Sequence, residues 1–140
     1  MEPRPRVLVA GTRQGIASVR EVLAGEAELI GAQSVVEALA EVDRGGLDLI
    51  ICNIRFDDSR MFDFLGALGD RPTARGVPVI CCRVLHRPLS VGARRAIALA
   101  LEALGVAEFV DMQAIEEEQG TDAAKDALRR AARARLQKRG

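Results

Sequence analysis

Few residues in this chain are of a type that does chemistry, and their spacing limits what they can do. There is one histidine, His86, and there are three cysteines, Cys52, Cys81 and Cys82. No cysteine stands at a metal-ligand spacing from the histidine. All three fall in apolar, strand-like runs, so they are expected as reduced core thiols rather than a thiol sensor or a metal site. The most suggestive position is Asn53, which closes the apolar run Leu49, Ile50, Ile51, Cys52. Such a run reads as a strand buried on both faces. In open parallel sheets ligands and chemistry gather at the carboxyl ends of strands. Asn53 therefore stands where a functional side chain is expected, yet a carboxamide has no anionic oxygen with which to attack.

Asp57 and Asp58 follow in a polar stretch. They are expected to solvate that loop or cap the next helix; service as a substitute nucleophile is the lesser reading. Asp48 precedes the strand and belongs to the opposite end of the sheet. Arg83 ends a later apolar run. Its plain reading is a solvated cation at a strand end. The sharper one is a fixed cation paired with Asp57, Asp58 or Asp111, or holding a free anion together with Arg13. The turn at residues 11–15 has a glycine at each end, Gly11 and Gly15, and opens a helix. It is a weak candidate phosphate loop, because neither the G-x-G-x-x-G fingerprint nor the Walker pattern is present. A small nucleotide- or anion-binding module using this turn is the alternative reading of function.

The elements that must position these residues are legible as an alternation. Strands are expected at 6–10, 27–32, 47–53, 77–83 and 108–112. Helices are expected after each, at about 16–24, 35–44, 60–68, 91–104 and 121–137. Thr12 lies in the turn before the first helix. Ser34, Ser90 and Thr121 are placed as caps, and Ser34 with Glu37 forms a capping box. Residues 113–120 read as an acidic connection. With 140 residues and 49% apolar content, the chain suits one compact domain over 1–140. Five strands alternating with helices give an α/β fold, a doubly wound five-stranded parallel sheet in the order 2-1-3-4-5 with helices on both faces.

The formal net charge is zero, Tyr and Trp are absent and Phe occurs four times, so a nucleic-acid-binding face is not expected. The cations of the last helix, Lys125, Arg129, Arg130, Arg133, Arg135, Lys138 and Arg139, are read as a solvated face. No segment is apolar enough to span a membrane and no leader is visible, so a cytoplasmic protein is expected. In the helix at 91–104, Ile97, Leu101 and Leu104 form the core stripe. Leu99 lies about 200° from Ile97 around the axis. Arg95, Ala96, Leu99 and Ala103 are therefore the expected interaction face.

Residues 47–65, LDLIICNIRFDDSRMFDFL, resemble the third strand and following loop of a receiver domain, the CheY-like phosphoacceptor module of two-component response regulators. The resemblance implies the flavodoxin-like strand order given above. In that family the strand ends in the aspartate that takes the phosphoryl group; here it ends in Asn53. The acidic pair that holds Mg²⁺ falls on Gly11 and Thr12, the hydroxyl that senses the phosphoryl group on Arg83, and the lysine on Met112. Phe109 lies where the family often places a switch aromatic, though its plain reading is a core phenylalanine. The resemblance thus implies a degenerate receiver without phosphoacceptor, metal or cofactor, not an enzyme. It would act in phosphorelay signalling by protein–protein contact, with a signalling partner or as a homodimer through the face around the fourth helix, fifth strand and last helix.

Overall fold

The structure is a computed structural model. It describes residues 4–83 and 89–139, without the side chains of Asp58, Ser59, Lys138 and Arg139. His86 lies outside the described residues.

In chain order the elements are β1 (Arg6–Ala10), α1 (Arg13–Leu23), β2 (Glu28–Ala32), α2 (Val35–Arg44), β3 (Leu49–Asn53), α3 (Phe56–Ser59) and α4 (Met61–Leu68). After a 3-10 turn at Pro72–Ala74 come β4 (Val79–Arg83), α5 (Val91–Ala103), β5 (Glu108–Asp111), α6 (Met112–Gln119) and α7 (Thr121–Arg139). The strands form one parallel sheet in the order β2-β1-β3-β4-β5, as the alternation requires.

Side chains of a strand alternate between faces, and the core divides accordingly. Val7, Val9, Leu49, Ile51, Ile80, Cys82 and Val110 meet Val19, Leu23 and Leu128 of α1 and α7. Leu8, Ala10, Ile50, Cys52 and Cys81 meet Val42, Phe64 and Leu101 of α2, α4 and α5. The rings of Phe56 and Phe64 close that second layer edge to face at 5.3 Å.

The helix starts follow their caps. Thr12 Oγ1 accepts from Gly15 N at 3.0 Å and Ser90 Oγ from Ala93 N at 3.0 Å. Ser34 Oγ accepts from Glu37 N at 3.1 Å. Glu37 reaches back one residue beyond the cap, its Oε2 accepting from Gln33 N at 3.1 Å. Gly45 and Gly46 end α2 with φ of 74° and 76°, a backbone that suits only glycine.

Four expectations are corrected. The 113–120 stretch is not an irregular connection but helical from Met112 to Gln119. Asp111 stops β5 and caps this helix, its Oδ1 accepting from Ala114 N at 3.1 Å. Met112 consequently opens α6 instead of ending β5. The fourth strand begins at Val79, because Pro78 has no N–H to give and joins the sheet only through its carbonyl, which accepts from Ile50 N. The segment after β3 is two short helices, not a loop and one helix.

Candidate functional site

The carboxyl end of β3 meets the first turn of α1. Asn53 is 3% exposed there. Its Oδ1 accepts from Arg55 N at 3.2 Å, the local turn bond that Asn favours. Its Nδ2 is buried and has no partner among the described residues. Two glycines make room for it. A Cβ at Gly11 would stand 3.2 Å from Asn53 Cβ, and one at Gly15 would collide with Asn53 Nδ2. The space between β1, β3 and α1 is therefore filled by the Asn53 amide. The turn itself is closed on its own backbone. Gly11 N donates to Ala32 O, Ile16 N to Thr12 O and Gly15 N to Thr12 Oγ1. That turns three donors of the candidate phosphate loop inward.

Asp57 is not free for chemistry. Its Oδ2 accepts from Val35 N at 2.8 Å, so it caps α2, across the sheet end, rather than the helix that follows it. The residue has φ of 47°, a left-handed conformation that Asp tolerates. Asp48, at the other end of the sheet as expected, accepts from Arg6 N at 2.9 Å. Among the described residues no group of three His, Cys, Asp or Glu is placed to share a metal ion.

Arg83 is 6% exposed, so the solvated reading fails. Parallel pairing sets it opposite Asp111. Its Nε and Nη2 reach the two Asp111 oxygens at 2.8 and 3.0 Å, and its Nη1 donates to Gln113 Oε1 at 2.9 Å. This is a forked, doubly hydrogen-bonded pair. Gln113 passes the chain on to Glu117 at 3.2 Å, and Arg94 of α5 stands 4.0 Å from Asp111. Of the three acids considered for Arg83, the fold selects Asp111. The guanidinium engages this cluster, and Arg13 lines a different groove, with Arg20. Gln113, Glu117 and Arg94 were not singled out from sequence. Gln113 and Glu117 are one helical turn apart, which is a readable signal once 112–119 is known to be a helix.

The three thiols are buried. Burial, and next to it the neighbouring Cys81, push Cys52 well up from the ordinary thiol value. Burial pushes Cys82 up to about 12. Neither is a thiolate at neutral pH, so neither is a ready nucleophile.

Phe109 is half-buried and packs on the layer that holds Phe56 and Phe64. It also lines a groove of about 420 Å³ between α5 and α6, with Val91, Arg94, Arg95 and Ile115. Along α5 only Leu101 is buried, while Arg95, Ala96, Leu99 and Ala103 are exposed. Leu104, expected in the core stripe, is instead 43% exposed just past the helix end. On α7 the cations turn to acids. Lys125 meets Glu21 at 2.7 Å, Arg129 and Arg133 meet Glu26, and Arg135 meets Glu108. No helix among the described residues is long and apolar enough to cross a membrane.

No protein-family model and no curated protein matches the sequence. Solved structures do match by shape. A response regulator from Hahella chejuensis is 20% identical with a TM-score of 0.73, over 94% of this chain and 95% of that one. The signal receiver domain of an HD domain-containing protein from Pseudomonas fluorescens is 16% identical with a TM-score of 0.71, over 98% and 90%. The chemotaxis response regulator CheY4 of Vibrio cholerae is 16% identical with a TM-score of 0.66, over 92% and 98%. This chain has the receiver-domain fold, a flavodoxin-like parallel sheet in the CheY-like order.

Proposed function

We propose that the chain is a non-catalytic, receiver-like signalling domain that has lost the phosphoacceptor and the Mg²⁺ site and acts by protein–protein contact. One observation carries the reading. The strand end where a receiver needs a carboxylate holds Asn53, its buried amide wedged against Gly11 and Gly15. An aspartyl phosphate needs an ionised carboxylate to form it. The nearby acids with described side chains are otherwise engaged, Asp57 with the start of α2 and Asp111 with Arg83. Gly11 and Thr12 offer no charged oxygen to Mg²⁺, which favours carboxylates in tight octahedral geometry. The solved structures of like shape are response regulators and receiver domains, and that supports a place in two-component signalling.

The partner-contact half of the proposal draws on α5. Val91 is 66% exposed and lines the same groove as Phe109, and Leu99 is 61% exposed further along the helix. Exposed apolar residues gathered on one helix mark a contact surface. A Mg²⁺ titration followed through backbone amide signals tests the reading. The expected result is no saturable movement at Gly11, Thr12, Asn53 or Asp57. A saturable, localised shift there means a working metal site and sinks the proposal.

A further inference from the structure

We propose that the groove between α1 and the edge strand β2 is a binding site for a doubly charged phosphate group, free or carried as a small monoester. This inference does not rest on the signalling role. The groove holds about 320 Å³ and is lined by Arg13, Ile16, Arg20, Gly31, Gln33 and Glu37.

Four features of the residues carry it. First, Arg71 pairs with Asp43, Arg83 with Asp111, Arg129 and Arg133 with Glu26, and Arg135 with Glu108. Both arginines of the groove lack an ion pair among the described residues, as Arg55, Arg60, Arg75, Arg95 and Arg130 also do, but these two line one cavity. Second, Arg13 is the first residue of α1, whose first turn has no acid. A cation at a helix N-terminus opposes the helix dipole. A local rule broken without compensation marks a functional position, and an anion in the groove would supply the compensation. Third, Gly31 shapes the floor. A Cβ there would stand 3.1 Å from Ile16 Cγ2 and 3.4 Å from Arg20 Nη2. Glycine at this strand position lets the Arg20 guanidinium lie against β2. Fourth, Gln33 is the neutral hydrogen-bonding side chain on the rim. The Glu37 carboxylate is held beside it by the Gln33 N–H at 3.1 Å. Two guanidinium groups outnumber the one carboxylate, which leaves the groove net positive for a compact anion. Planar guanidinium forks match phosphate oxygens in pairs.

The test is an amide-shift titration of the full chain with inorganic phosphate, and separately with ribose 5-phosphate, at constant ionic strength. The expected result is a saturable shift confined to Arg13, Gly31, Gln33 and their neighbours. Affinity should rise between pH 5.5 and 7.5, since a phosphate monoester loses its second proton near pH ~6. Tighter binding of the ester assigns the site to small phosphate esters; equal binding assigns it to free phosphate. Arg20→Gln and Arg13→Gln should each weaken binding about tenfold, the scale of one lost charge-assisted contact. Arg71→Gln should leave it unchanged. A linear, unsaturable response overturns the proposal. So does a response that persists in well-folded Arg20→Gln and Arg13→Gln proteins.

Discussion

Replacing Asn53 with Asp puts a carboxylate at the end of β3, and the structure sets what that costs. The residue is 3% exposed, and the amide nitrogen that becomes an oxygen has no partner. No hydrogen bond is lost, so the penalty is the desolvation of a charge. Burial of this kind raises a carboxyl pKa by up to about 3 units. At about 1.36 kcal/mol per unit that is ~4 kcal/mol at neutral pH. The Arg55 N–H already donates to Oδ1, and strengthening that bond to an anion offsets about 1 kcal/mol, leaving ~3 kcal/mol. The sign follows from linkage. A raised folded-state pKa means the penalty is absent below about pH 4, where the side chain is protonated in both states, and grows toward pH 7. Urea unfolding of both proteins at pH 4 and pH 7 reads the difference directly. The second arm adds Mg²⁺. With Gly11 and Thr12 beside the new Asp, the ion should restore no stability. Equal stability of the two proteins at pH 7 would refute the reasoning about burial. Recovery in Mg²⁺ would refute the claim that the metal site is gone.

Other consequences can be checked on the same unfolding assay. Gly15→Ala forces a methyl group into Asn53 Nδ2 and should cost about 1–3 kcal/mol. Adding Asn53→Ala should recover much of that loss, a coupling expected only of residues in contact. Asp111→Ala strands a buried Arg83 and should destabilise by roughly 3–5 kcal/mol, whereas the apolar pair Arg83→Met with Asp111→Leu should cost much less. The buried thiol of Cys82 has its folded-state value raised to about 12. Its contribution is therefore intact below the ordinary thiol value near pH ~8.5 and falls by about 1.4 kcal/mol per pH unit above it. Cys82→Val should flatten that alkaline slope.

The sheet and its order were readable because each strand is a short apolar run stopped by a turn signal. Cys52, Cys81 and Cys82 were legible as core thiols for the same reason. What sequence could not reveal depends on pairs brought together across the fold. Asp57 looked like a cap for the helix beside it, but the chain turns through a positive φ and delivers its carboxylate to Val35, 22 residues earlier. Asp111 was one of three candidate partners for Arg83, 28 residues away, and only the parallel register of β4 and β5 selects it. The α6 helix was missed because its apolar stripe is thin. Its Gln, Ala and Glu content is nonetheless helix-favouring, so propensity would have found what periodicity did not. Leu104 was assigned to the core by extending the spacing of Ile97 and Leu101 one residue too far, past the helix end. Gly15 shows the same limit. Its turn was only a weak candidate phosphate loop from sequence, and in the fold its missing side chain makes space for the Asn53 amide.

The reading of a phosphoacceptor lost at Asn53 meets its most direct test in phosphotransfer itself. The full chain is incubated with a small phosphodonor and Mg²⁺ and weighed intact by mass spectrometry. The prediction is an unchanged mass, with no Mg²⁺-dependent difference. A stable phosphoryl adduct that requires Mg²⁺ would contradict the account, and mapping it to Asp57, Asp58 or another acid would identify the acceptor that the fold had kept.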